Sequence, residues 1–199
     1  MKPILFLTVA LFLACCAKKD HKSENKSPQS VAKEQSDFKI IADQSEPDTV
    51  KGSMKAKAMG TIADAAITIN YYSPAVRGRI IWGGLVPYDQ VWVTGAHRAT
   101  NLEIEQDFKI ADKIVPAGKY GFFTIPGKNE WVIILNKNWD QHLVDNYDAS
   151  QDVARVSVAP QVGSRQERLQ YTIKPTSGKE GVISIWWDKM VVEMPLTIQ

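Results

Sequence analysis

Past position 16 this chain contains no cysteine, which removes a disulfide framework and a thiolate metal site from the 183 residues that follow. Histidine is nearly as scarce. His21, His97 and His142 are the only three, too few for a histidine-rich zinc centre, although His97, His142 and a carboxylate could converge. Charge of one sign is missing as well: 24 Lys and Arg against 22 Asp and Glu leave a net charge of +2. The lysines are not interleaved with aromatics, so nothing points to nucleic acid. No apolar run reaches the roughly 20 residues of a membrane-spanning helix. Gly-x-Ser-x-Gly, His-Glu-x-x-His, Cys-x-x-Cys and a glycine-rich phosphate loop are all absent. The familiar nucleophilic and zinc hydrolase mechanisms therefore have no support, and no cofactor, metal site or catalytic residue is expected.

What is present begins at the N-terminus, where Lys2 precedes an apolar run from Ile4 to Leu13 that gives way to Ala14, Cys15, Cys16 and a cluster of charges. That is the layout of a signal peptide, over residues 1–14. Phe12-Leu13-Ala14-Cys15 resembles the lipobox of bacterial lipoproteins, in which the cysteine thiol takes a diacylglycerol and the freed amine is acylated. Cys15 is the expected lipidated residue, and Cys16 offers the weaker frame because it follows another cysteine. Two or more acyl chains hold a protein stably at a bilayer. Residues 15–50 are rich in Lys, Ser, Gln and acid, with Phe38, Ile40 and Ile41 as the only notable apolar cluster. Such a stretch buries too little to offset its chain entropy, so it reads as a lipidated, disordered tether. The expected location is the cell envelope, as an outer-membrane lipoprotein facing the periplasm or the cell surface, with the membrane as a partner through the anchor.

From residue 51 to 199 the texture changes to short β-rich runs separated by turn signals, the pattern of an all-β, antiparallel, jelly-roll-like sandwich. Strands are expected near 54–60, 65–72, 90–94, 100–110, 119–125, 130–136, 153–159, 167–174, 181–187 and 190–198. Pro126-Gly127 suits the centre of a type II turn joining two antiparallel strands, Pro116-Ala117-Gly118 is a second turn, and Asp188-Lys189 suits a hairpin. Trp131-Val-Ile-Ile-Leu135 does not alternate, so both its faces should be covered. The long 73–90 loop carrying Trp82 and Tyr88 is the expected cover.

Between two strand-like runs, YYSPAVRGRIIWGGLVPYDQVWVTGAHRAT at 71–100 gathers glycines, prolines, tryptophans and arginines. Its blocks Pro74-Ala-Val-Arg-Gly78-Arg79, Trp82-Gly-Gly-Leu-Val-Pro-Tyr88, Val91-Trp92, Thr94-Gly95-Ala96 and Ala99-Thr100 are similar to the bacterial family called domain of unknown function 2911. The likeness continues through Pro116-Ala-Gly-Lys-Tyr120, Phe123-Thr-Ile-Pro126, Trp131, Asn136-Lys137, Trp139, Tyr147-Asp148 and Arg155-Val156, covering roughly residues 58 to 199. The resemblance implies a secreted or lipid-anchored β-sandwich and carries no activity with it. Where the family commonly reads Trp-Arg-Thr-Gly-Ala-Asn-Glu-Ala-Thr, this chain has Val93, His97 and Arg98 in place of the Arg, Asn and Glu.

The residues of this stretch admit two readings each. Arg77 and Arg79 flank Gly78 and could clamp a carboxylate, sulfate or phosphate, or could staple the loop by bonding its carbonyls. His97 and Arg98 could supply a base or ligand, or simply polar turn residues. Trp82, Tyr88 and Trp92, with Trp139 further along the chain, could stack on a sugar ring, or fill the core. Asp140, Asp145, Asp148 and Asp152 lack the spacing of a calcium loop and read as turn or capping residues. The function expected is an interaction module for a glycan, peptide or envelope protein, with a carboxylate-dependent envelope hydrolase as the alternative. Nothing in the sequence speaks to oligomeric state.

Overall fold

The computed structural model describes residues 51–199; the signal segment, Cys15, Cys16 and the tether lie outside them. The domain is an antiparallel β-sandwich. Its strands are β1 (Met54–Ile62), β2 (Ala65–Ser73), β3 (Asn101–Ile104), β4 (Phe108–Ile110), β5 (Lys113–Val115), β6 (Gly118–Pro126), β7 (Trp131–Asn136), β8 (Asp152–Val158), β9 (Gln161–Ser177) and β10 (Glu180–Ile198). Six of them form one sheet in the order β1-β2-β3-β6-β7-β8, and four form the other in the order β5-β4-β10-β9. The alternation of β2 puts Ala65, Ile67, Ile69 and Tyr71 inward. There they meet Leu169, Tyr171, Ile183 and Ile185 of the facing sheet in one continuous core. Period-two patterning of this kind is what commits one face of a strand to the interior.

Several boundaries differ from the expectation, each for a local reason. The run at 100–110 is two strands in different sheets, because the chain crosses over between Ile104 and Phe108. The 90–94 segment contributes only a bridge, Trp92 to Thr124, with paired backbone bonds of 2.7 and 3.0 Å. Asp188-Lys189 is no hairpin. β10 runs straight through it, and Asp188, at φ 52°, marks a bulge with register shifts on either side. The hairpin between β9 and β10 instead turns at Gly178-Lys179. Pro126-Gly127 does join β6 to β7, with Pro126 paired to Trp131. Gly127, however, is not among the positive-φ residues, so the loop is not the type II turn. What demands glycine there is space, since a Cβ would lie 2.3 Å from the Glu130 carbonyl oxygen.

β7 is buried on both faces, but its cover is not the 73–90 loop. Trp131, Ile133 and Leu135 face the main core, where Trp82 also packs. On the opposite face Ile134 and Phe123 are covered by Val93 and Ala99, with Val91, Val144 and Tyr147 around them. Two later segments, 91–99 and 144–147, therefore form the lid over the six-stranded sheet.

Candidate functional site

The chain between β2 and β3 is held at three points and leaves two surfaces free of the core. Its first point is the root. Val76 N–H donates to Glu167 O at 2.7 Å, Leu169 N–H donates to Pro74 O at 3.0 Å, and Arg77 N–H donates to Glu167 Oε1 at 2.7 Å. Arg79 N–H closes a turn onto Val76 O at 3.0 Å, with Arg77 and Gly78 both in the left-handed region at φ 49° and 67°. Two successive positive φ values characterise a type I′ turn. Glycine takes that conformation freely, whereas an arginine does so at a cost of about 1–2 kcal/mol. Arg79 Nε donates to Val76 O at 3.1 Å and its Nη2 to Ala75 O. The guanidinium is thus oriented by neutral carbonyls while the residue remains exposed.

The second point is the tryptophan cluster. Ile81 and Val86 are buried, and bonds from Val86 N–H to Ile81 O (2.9 Å) and Leu85 N–H to Ile80 O (3.0 Å) fold residues 80–86 into a compact turn. Trp82 projects from it into the sandwich, its ring 4.9 Å from Trp131, 5.8 Å from Trp187 and 5.8 Å from Trp92, all edge to face. Trp92 stacks on Trp187 at 5.9 Å. The indole N–H groups of Trp82, Trp131 and Trp187 are buried without a conventional acceptor, and edge-to-face packing is the arrangement in which ring N–H groups meet π faces. Trp82 and Trp92 are thereby spent on the core. Tyr88 is half-buried, and a Cβ at Gly83 would meet its ring carbon at 2.8 Å.

The third point is a buried hydroxyl network below the 94–100 turn. Thr94 Oγ1 lies 3.0 Å from Thr124 Oγ1, Thr100 Oγ1 donates to Thr94 O at 3.0 Å, and Tyr171 Oη donates to the same carbonyl at 2.8 Å. Burial holds the Tyr171 phenol well above its usual range and pushes Tyr71 up to about 12, because a phenolate would lose its hydration. Gly95 sits where a Cβ would lie 2.8 Å from Thr100 Oγ1 and 3.1 Å from Tyr72 O. Above this network His97, at φ 60°, stands edge-on to the Tyr72 ring at 5.1 Å. Arg98 pairs with Asp140, and His142 Nδ1 lies 2.8 Å from Asp145 Oδ2. The carboxylates of Asp140, Asp145 and Glu167 are therefore already engaged, Glu167 also taking Arg165 at 2.7 Å.

The structure brings Trp82 and Trp92 together in the core, sets His97 and Arg98 on an exposed rim with residues 140–145, ties the Arg77 backbone to Glu167, and holds the Arg79 guanidinium on the Val76 and Ala75 carbonyls. Among the described residues no group of three or more His, Cys, Asp and Glu could hold a metal ion. The acidic stretch is architectural. Asp148 caps the short 3₁₀ turn Ala149–Gln151 by accepting from Ser150 N–H, and its pKa is lowered by that bond. Asp152 takes Asn136 Nδ2 at 2.7 Å, Tyr147 Oη at 2.8 Å and Arg155 Nε at 2.7 Å. Sequence reasoning passed over Arg168, only 2% exposed, whose Nη1 donates to Gly52 O at 3.1 Å and Ser73 O at 3.0 Å. In QERLQYTI its alternation with Leu169 resembles any half-exposed strand, so no signal in the chain marks it as buried.

One open depression lies next to the loop, about 460 Å³ in volume and lined by Asp89, Ile125, Lys128, Glu130 and Val132 among others. Residues 53–196 match the family described as "Protein of unknown function (DUF2911)". No curated protein and no solved structure matches the chain.

Proposed function

We propose that this chain, which belongs to the DUF2911 family over residues 53–196, is a lipid-anchored protein of the cell envelope whose sandwich is an interaction module working through the 73–100 segment. The observation that supports this is how the loop is built. Buried Ile81 and Val86, with partly buried Trp82 packed on the core, hold it rigid, while Ile80 and Leu85 stand outside at 78% and 47% exposure beside Arg77 and Arg79. A rigid loop that shows aliphatic and cationic groups to solvent suits recognition, because little ordering entropy is lost on binding. Its partner is a glycan, a peptide or a neighbouring envelope component, met at the outer membrane from the periplasmic or the surface side. Anchoring is tested by labelling cells with a palmitate analogue. The parent chain should be labelled and Cys15→Ser should not be, since a serine oxygen does not replace the thiolate in diacylglyceryl transfer. Undiminished labelling of Cys15→Ser would move the assignment to Cys16.

A second reading, a carboxylate-dependent envelope hydrolase, draws on the depression whose lining includes Asp89 and Glu130. Two carboxylates facing one opening are what glycoside cleavage requires. Polysaccharide or peptide turnover that disappears in both Asp89→Asn and Glu130→Gln would favour it over the interaction module.

A further inference from the structure

The lid covers only part of the six-stranded sheet. It buries Phe123 and Ile134, whereas the outward residues of β2 and β3, Asn70, Tyr72, Asn101 and Glu103, stay partly or fully exposed. Register sets them in rows. Asn70 lies opposite Asn101, which lies opposite Gly121, and Thr68 lies opposite Glu103, which lies opposite Lys119. Successive rows on one face are about 7 Å apart. The edge of the lid borders this open strip and is itself held together, by the Arg98–Asp140 pair and by Leu143 N–H donating to His97 O at 2.8 Å.

Asn70 Nδ2 donates to Asn101 Oδ1 at 3.1 Å, which orients both amides but uses one donor group and one acceptor. Asn70 Oδ1 and Asn101 Nδ2 have no partner among the described residues. On one side of this pair stands the Tyr72 ring, set edge to face against His97 at 5.1 Å, its Oη also without a hydrogen bond among the described residues. On the other side lies Lys119, whose Nζ is 3.9 Å from the centroid of the partly exposed Trp139 ring and 4.0 Å from Glu103. Lys119 and Arg98 each face a carboxylate, so the strip is no landing place for an anion. Nor does it suit an extended peptide, because the backbone beneath it is already paired on both edges of β3. A free amide donor and a free acceptor between two aromatic rings match a sugar ring. Its apolar face stacks on the rings and its polar substituents reach the amides.

We infer that this strip, with Tyr72 and Trp139 as its rings and Asn70 and Asn101 as its hydrogen-bonding floor, binds an uncharged pyranose unit of a glycan. It is a second surface, and it shares none of the side chains of the 77–86 tip. Trp82 and Trp92 are spent on the core, which leaves Trp139 as the tryptophan able to meet a sugar here.

The test applies the intact chain, purified in detergent, to an array of oligosaccharides of glucose, galactose, mannose and N-acetylglucosamine, with heparin as an anionic control, and titrates the ligands found by calorimetry. Binding to a neutral sugar should persist in added salt, since no net charge is neutralised. Preference for N-acetylglucosamine would mean that the amide pair reads an acetamido group, and preference for another sugar that it reads neighbouring hydroxyls; either supports the inference. Trp139→Ala should weaken binding about tenfold, and so should Asn101→Asp, which keeps an acceptor for Asn70 but loses the free donor. Trp139→Phe, which retains a ring, should stay within about threefold of the parent. Ile80→Ser/Leu85→Ser should bind the sugar as the parent does, so this site and the role proposed for the loop fail separately. Failure of the parent to bind any neutral sugar on the array would overturn the inference. So would equal affinities for the parent, Trp139→Ala and Asn101→Asp, or binding confined to heparin and lost with salt, which would assign it to the lysines.

Discussion

Replacing Asp152 by alanine should be the most damaging single change outside the apolar core. Its side chain is 7% exposed, and its carboxylate is the common acceptor for Asn136, Tyr147 and Arg155. Arg155 is 44% exposed, so its ion pair is screened and worth at most about 1 kcal/mol. Asn136 Nδ2 keeps a second acceptor in Asp148 O at 2.9 Å, so its loss is partial. The bond from Tyr147 to a nearly buried carboxylate is the larger part, about 1.5–3 kcal/mol for a hydrogen bond to a charged group. Together these give a destabilisation of about 3 kcal/mol, or a fall in Tm of about 6–12 °C for a domain of this size. The effect should spread, because Tyr147 packs 5.3 Å from Phe123 in the lid over the six-stranded sheet. Calorimetric melts of Asp152→Ala, Arg155→Ala and the double variant would resolve the pair by a mutant cycle. A Tm within 2 °C of the parent for Asp152→Ala would refute the account, showing the carboxylate to be a bystander.

Other outcomes follow from the same geometry. Arg79→Ala should lower Tm by about 2–4 °C, because Ala75 O loses its donor while Val76 O keeps Arg79 N–H; an unchanged melt would leave the arginine with a ligand-facing role alone. Alkaline pH should destabilise the fold, since Tyr71 is held up to about 12 by burial, partly offset by the backbone bond from Tyr171, while the unfolded phenol ionises near its usual value of about 10. The raised pKa means its stabilising contribution is complete below pH 10 and is lost as pH rises toward 12, at about 1.4 kcal/mol per pH unit for this phenol. Tyr147, also pushed up to about 12 by burial and then by its bond to Asp152, adds a smaller, solvent-screened slope of the same sign. Urea midpoints for the parent and Tyr71→Phe between pH 9 and 11.5 check this, and parallel curves would contradict it.

The sandwich was legible because its signals are local. Alternation in β2 and the Pro126-Gly127 junction before Trp131 are written in adjacent residues, and they place the hairpin of β6 and β7 without reference to the rest of the chain. Asp188 misled for the same reason. A polar pair between two apolar runs has the composition of a hairpin, and only the partner strand β9, long enough to pair on both sides of it, makes it a bulge. The lid over β7 was misassigned because a continuous apolar strand shows that a cover exists but not which segment supplies it. At the site, the left-handed turn at Gly78 could be anticipated from glycine, whereas Arg77 beside it at φ 49° could not. Its conformation depends on Glu167, 90 residues away in the chain. Arg168 escaped notice because its acceptors, the Gly52 and Ser73 carbonyls, exist only once the sheets have met.

The four-tryptophan cluster has an optical consequence. Trp82 comes from the loop, Trp92 from the bridge segment, Trp131 from the six-stranded sheet and Trp187 from the four-stranded one, with ring centroids 4.9 to 6.4 Å apart. Indole transitions at such separations couple, so the cluster's circular dichroism near the aromatic absorption bands is a property of the assembled group and of no single ring. Detaching the loop would remove one chromophore from the coupled set while both sheets stayed intact, and parting the sheets would dissolve it altogether. The protein thus carries an intrinsic reporter that distinguishes movement of the loop from unfolding of the sandwich.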